Sequence, residues 1–217
     1  MIGLKNNIVE LSNYCPEWHE IYKKEEKKLI NNMKNSIVKI QHIGSTAIPG
    51  MIAKPIIDIL IGVDNSNCFN SALKPLIDLD YKFLGNGGKT GRLFFVKGDN
   101  EITKFHLHMV KIKSYYWSDY LFFRDYLKRN SKKAKEYKKI KLELMKKYRT
   151  NREKYRRFKS RFVKKILTKN EYRNCWFCDE TQNIKNKSTM MAARNNLCST
   201  VLNLDNIQEI ITHIPET

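Results

Sequence analysis

No apolar run in this chain approaches the roughly 18 residues that span a bilayer, which excludes a transmembrane helix. Cysteine is sparse as well. Five cysteines in 217 residues do not make a disulfide scaffold, so an intracellular, reducing, cytoplasmic setting is the expectation. The opening Met-Ile-Gly-Leu-Lys-Asn-Asn lacks the apolar core of a signal peptide. Low apolar content, the mark of a disordered chain, is not found: 41% of residues are hydrophobic, enough to bury a real core. No internal repeat is evident, and no low-complexity tract beyond a lysine bias.

Acidic residues are scarce, with 22 Asp and Glu against 41 Lys and Arg, giving a formal net charge of +19. The excess is localised. Residues 1–127 carry net +4, residues 128–169 net +17, and residues 170–217 net −2. Such a block is either a solvated helical surface or a patch for an anionic partner, RNA among them. Among its aromatics, Tyr137, Tyr148, Tyr155 and Phe158 have the helical spacing of a core stripe, which is favoured over a base-stacking platform.

Hydrophobic periodicity predicts the elements. Residues 16–33 read as an amphipathic helix opened by Pro16. Residues 37–43 read as a strand with Val38, Ile40 and His42 on one face. Residues 44–55 form a loop rich in Gly, Ser, Thr and Pro. Residues 56–63 are a nearly all-apolar, buried central strand. A helix over 67–79 must be started, kinked or interrupted by Pro75. Short strands at 81–84 and 93–96 flank a glycine-rich turn, Gly85 to Gly91. Residues 104–112 alternate as a further strand, and helices follow at 115–128, 132–148 and 152–167. This order predicts an α+β fold: a mixed β-sheet, flanking helices and a C-terminal basic helical layer.

Three features bear on chemistry. Gly44-Ser45-Thr46 follows a strand directly, where backbone N–H groups and two hydroxyls can hold phosphate. Asp58 is the one ionisable residue in a buried strand. An ionised carboxylate there requires a cation, either a partner such as Lys54 or Arg92 or a bound metal. Phe105-His106-Leu107-His108-Met109 places both imidazoles on one strand face, where they can share a metal or flank a phosphate, or simply hydrogen-bond as half-exposed residues.

Together these motifs resemble the GrpB family, usually placed in the nucleotidyltransferase superfamily. The resemblance is carried by His42-Ile43-Gly44-Ser45-Thr46-Ala47-Ile48-Pro49-Gly50 and by Lys54-Pro55-Ile56-Ile57-Asp58-Ile59-Leu60. It continues in Tyr14-Cys15-Pro16-Glu17-Trp18, Arg92-Leu93-Phe94-Phe95-Val96-Lys97-Gly98, the His106–His108 strand and Phe123-Arg124-Asp125-Tyr126-Leu127. It covers residues 7–168, so residues 1–169 are expected to form one domain and 170–217 an extension. Cys15 departs from the family pattern, which usually has an acidic residue there.

The resemblance implies a nucleotidyltransferase-like fold that binds a nucleotide triphosphate with a divalent metal, Mg, Mn or Zn. In that superfamily paired carboxylates on the strand hold the metals that align nucleophile and leaving group. Here the same-face neighbours of Asp58 are Ile56 and Leu60, so the second carboxylate is missing. Asp58, His106 and His108 are the candidate metal ligands and catalytic residues, one histidine serving alternatively as general base. Gly44, Ser45, Thr46, Lys54, Arg92 and Arg124 are the candidate phosphate contacts, with His42 in support. Arg124 has a competing role as a partner of Asp125 or Asp119. The alternative function is a non-catalytic nucleotide- or RNA-binding module, with RNA on residues 128–169.

In the extension, Cys175 and Cys178 form a Cys-x2-Cys pair that Cys198 and His213 complete as a candidate zinc site, or else they are unconnected cysteines.

Overall fold

The computed structural model describes residues 2–33, 37–64, 67–99 and 101–170. The candidate zinc residues Cys175, Cys178, Cys198 and His213 lie outside the described residues. The elements run β1 (Leu4–Lys5), α1 (Glu17–Met33), β2 (Lys39–Ile43), β3 (Ile57–Val63), α2 (Asn67–Ile77), β4 (Lys82–Phe83), β5 (Arg92–Gly98), β6 (Ile102–Lys111), α3 (Tyr115–Arg129), α4 (Ser131–Lys147) and α5 (Arg152–Leu167). A 3-10 turn, Ser45–Ala47, follows β2.

The strands form one mixed sheet in the order β2-β3-β6-β5-β4, with β1 paired to the start of β6. The β3–β6 pair is parallel and the others are antiparallel. Parallel neighbours need a long crossover. Here α2 and the β4–β5 hairpin lie between β3 and β6 in the chain.

Period-two alternation divides the sheet into two faces. On one, Ile57, Ile59, Ile61 and Val63 join Leu107, Met109, Leu93 and Phe95 in the main core, packed with Trp18 and Leu29 of α1 and Phe69 and Leu73 of α2. The other face carries Leu60 and Val110, covered by Tyr116, Trp117, Tyr120 and Leu121 of α3. Gly62 makes that cover possible, since a Cβ there would stand 2.8 Å from the Trp117 ring. A third cluster joins Ile48 and Met51 of the loop to Leu127, Tyr137, Phe162 and Ile166 of the last three helices. The basic helical layer is therefore seated on the Gly44–Pro55 loop, and its apolar stripe selects that position.

The expected elements form, with informative differences. Pro75 sits inside α2 without ending it before Ile77. It falls in the last turn, where its missing N–H removes only one bond from a helix about to stop. The strand expected at 81–84 shortens to Lys82–Phe83 because Tyr81 turns its ring into the core and its N–H back to the Leu76 carbonyl. The short strand Leu4–Lys5 has no legible pattern of its own and forms by pairing with Ile102 and Thr103. Tyr137 and Tyr155 are core residues as expected, whereas Tyr148 and Phe158 are only half-buried.

Candidate functional site

The candidate residues are gathered by strand register. Asp58 pairs with His106 across β3–β6, and Leu60 with His108, so the carboxylate and both imidazoles project from the same face. His106 Nδ1 lies 3.0 Å from Asp58 Oδ1. A carboxylate only accepts, so Nδ1 carries the proton and Nε2 is left with a lone pair. His108 is held differently. Arg92 Nη1 lies 3.3 Å from its Nδ1, and since a guanidinium only donates, the His108 proton is on Nε2. That Nε2 is 4.0 Å from Asp58 Oδ1, too long for a hydrogen bond.

The electrostatics follow from burial and from these neighbours. Burial alone would raise the Asp58 pKa. The hydrogen bond from His106 and the charges of His106, His108 and Lys54 outweigh it and hold the carboxyl at about 2. The Asp58 side chain still keeps 27% of its surface open, so the carboxylate is partly solvated rather than sealed. Burial pushes His108 down to about 3 and lowers His106, although Asp58 opposes both shifts. Both imidazoles are thus neutral near pH 7.

Gly44 opens the loop with φ +72°, a conformation L side chains rarely adopt, and a Cβ there would run into Asp58 Oδ2. The turn therefore lies directly against the carboxylate. Ser45 Oγ accepts from Lys141 Nζ at 2.9 Å, and Lys141 donates also to the Ile52 carbonyl. Thr46 Oγ1 is 3.0 Å from His42 Nε2. His42 pairs with Ile59, which puts it on the opposite sheet face from Asp58, stacked on Tyr22 with centroids 4.6 Å apart. It props the loop from beneath and does not touch the Asp58–His106 pair. Burial drops its pKa to about 4.

Two expected phosphate contacts are engaged by the protein itself. Arg92 donates through all three nitrogens, to the Asn86 and Gly87 carbonyls, Tyr120 Oη and the His108 ring, and so locks the glycine-rich turn onto α3. Arg124 binds both Asp125 oxygens, with Nη1 on Gln41 Oε1 and the His42 carbonyl, and fastens α3 to the end of β2. The charge of Lys54 reaches both Asp58 and His106. Burial and the nearby Lys159 and Arg152 bring its amine down to about 7.

The basic layer supplies what sequence reading placed elsewhere. Burial first, then the charges of Lys159, Lys54 and Lys138, hold Lys141 well below the usual lysine range. The charges of Lys54 and Arg152 reach His106. Arg152, Arg156 and Lys159 recur every three to four residues along α5, and the charges of all three reach Lys54. The candidate site residues lie in residues 1–127, and the basic layer reaches them through Lys141 on the Ser45 hydroxyl and through the charges of α5. Lys141 was hidden by its sequence context, as one lysine among 20 basic residues in the block. The signal that separates it is its place in the buried stripe, four residues after Tyr137.

The donor set is also tested for a resident metal. Asp58 Oδ1 already accepts from His106 Nδ1, His108 Nε2 stands 4.0 Å from the same oxygen, and Arg92 holds the His108 ring by Nδ1. Among the described residues no group of three or more His, Cys, Asp or Glu is arranged to hold a metal ion. Asp58, His106 and His108 are brought together, but not as three ligands converging on one point.

The family profile described as GrpB protein matches residues 8–169. The chain belongs to the GrpB family. The Glutamate-rich protein GrpB of Alkalihalophilus pseudofirmus is 35% identical over 173 residues, covering 77% of this chain and 98% of that one. UPF0157 protein PA4798 of Pseudomonas aeruginosa is 35% identical over 160 residues, 73% of this chain and 66% of its own. The crystal structure of GrpB from Enterococcus faecalis superposes with a TM-score of 0.69 at 29% identity, covering 77% of this chain and 99% of that chain. A match to the Cid1 poly(U) polymerase, 14% identical with a TM-score of 0.42, is too loose to bear on function. The GrpB match thus spans strands β2 to β6, the loop and the last three helices.

Proposed function

We propose that the Asp58 face is a nucleoside triphosphate site and that this GrpB domain transfers the nucleotidyl group to an acceptor hydroxyl. The observation that carries the reading is the crowding of cations: Lys54, Lys141, Arg152, Arg156 and Lys159 act on one another around the single carboxylate Asp58. Such a cluster repels itself in the unliganded protein, and a polyanion relieves it. The Gly44–Thr46 turn lies beside it, where its backbone N–H groups and hydroxyls would hold phosphate.

In this reading Asp58 orients His106, and His106 Nε2 takes the proton of the attacking hydroxyl. That oxygen bonds to the α-phosphorus, the bond to the β-phosphate oxygen breaks, and pyrophosphate leaves with the electron pair. The cations neutralise charge on the phosphate oxygens. A divalent ion belongs to the proposal as one carried on the triphosphate, with Asp58 as the one carboxylate beside it.

Thermal melting with ATP, GTP, CTP and UTP, each with Mg, Mn, Zn or EDTA, tests the binding part. At least one triphosphate is expected to raise Tm above its monophosphate, and Lys54→Ala to abolish the rise. No rise with any of the four sinks it. The missing second carboxylate favours a second reading, a non-catalytic nucleotide-binding module. Pyrophosphate release that disappears in His106→Gln supports transfer, and binding without release supports the module.

A further inference from the structure

Tyr148 follows the last residue of α4 and Phe158 lies on α5, and their rings stack with centroids 5.2 Å apart and planes 2° from parallel. The Arg161 guanidinium is 4.7 Å from the Phe158 centroid and the Lys147 amine 5.6 Å from that of Tyr148. The surrounding faces of α4 and α5 are exposed and cationic, with Lys146 and Arg157 among them. The whole block of residues 128–169 holds only Glu136, Glu143 and Glu153 as acids, and Glu136 is paired with Lys133.

We propose that this α4–α5 surface binds single-stranded RNA. Cations alone would serve any polyanion. Flat aromatic and guanidinium surfaces interleaved with them fit a chain that alternates phosphates with unstacked bases. A duplex hides its base faces and would use only the charges. An anionic membrane needs an apolar anchor face, and on α4 and α5 the one exposed large aliphatic is Leu142. RNA rather than DNA is the common single strand of a cell. None of Tyr148, Phe158, Lys147 and Arg161 takes part in the contacts around Asp58 described above, and the proposal does not depend on the nucleotide reading.

Fluorescence anisotropy of the full chain with a labelled, unstructured 12-nucleotide RNA tests it, beside the same RNA annealed to its complement and vesicles containing phosphatidylserine. The single strand is expected to bind more tightly than the duplex or the vesicles, with log K falling by about 0.7 per phosphate contact against log salt. Changing Lys147 and Arg161 together to Gln should flatten that slope by about 1.4, if each holds one phosphate. Phe158→Leu keeps the packing volume but removes the flat face and should weaken binding about tenfold, while Phe158→Tyr leaves it near wild type. Asp58→Asn should leave it unchanged. Absence of binding at about 50 mM salt, equal affinity for the duplex, tighter binding to vesicles, or full binding by Phe158→Leu would overturn the proposal.

Discussion

Lys141 Nζ donates to Ser45 Oγ at 2.9 Å across 96 positions of sequence. The same amine donates to the Ile52 carbonyl and lies 4.9 Å from the Tyr137 ring centroid. A buried lysine thus fastens the basic layer to both ends of the loop that faces Asp58. Lys141→Ala removes the donor and leaves a cavity, for an expected loss of about 2–4 kcal/mol in urea unfolding. Lys141→Met keeps most of the volume and should lose less. Equal losses in the two variants would show that packing contributes nothing beyond the bonds to Ser45 and Ile52.

Gly44→Ala should cost about 1–3 kcal/mol, since it places a side chain at positive φ and drives it into Asp58 Oδ2. Gly50 shares the same φ but faces open space. Gly50→Ala should therefore be milder, and should leave triphosphate-induced stabilisation intact where Gly44→Ala reduces it. Paired melting curves with and without nucleotide separate the two.

The two site histidines are expected to be opposite tautomers. Asp58 fixes the His106 proton on Nδ1 and Arg92 fixes the His108 proton on Nε2. Long-range proton–nitrogen NMR distinguishes them directly. In Asp58→Asn the His106 pKa should fall further, because the carboxylate is what raises it against burial. A rise would contradict the dyad.

Triphosphate binding should take up protons. Lys54 titrates at about 7 in the free protein, and burial holds Lys141 well below the usual lysine range. A bound polyanion favours their charged forms, so affinity should fall as pH rises from 7 to 9. Calorimetry in buffers of different ionisation enthalpy measures the uptake. Zero uptake at pH 8 would remove these amines from the site.

Stability should fall on acidification from about pH 6.5. His42 and His108 have folded pKa values of about 4 and 3, below the 6.5 of an unfolded histidine, so the unfolded state binds protons first in that window. For His42 alone the loss at pH 5 is on the order of 1–2 kcal/mol. Asp58 adds a loss only below about 3.8, as pH approaches its folded value of about 2. Melting temperatures at pH 7, 6 and 5 check the slope.

Sequence by itself determined the elements and the two sheet faces, because strand and helix periods are local and the apolar stripes were strong from Ile57 to Leu167. It also put Asp58, His106 and His108 on the table and separated the +17 block from the rest. Register decided what they became. Only the parallel β3–β6 pairing sets Asp58 beside His106 and hands it a hydrogen-bond partner, a contact between strands 48 positions apart. Only packing of the basic layer on the loop brought Lys141 to the turn beside the carboxylate, while Arg92 and Arg124 were drawn into holding a turn and a helix. Charge in sequence carries a sign but no direction. The direction came from which helix face was apolar enough to be buried, and a lysine long enough to reach across the layer followed that face inward.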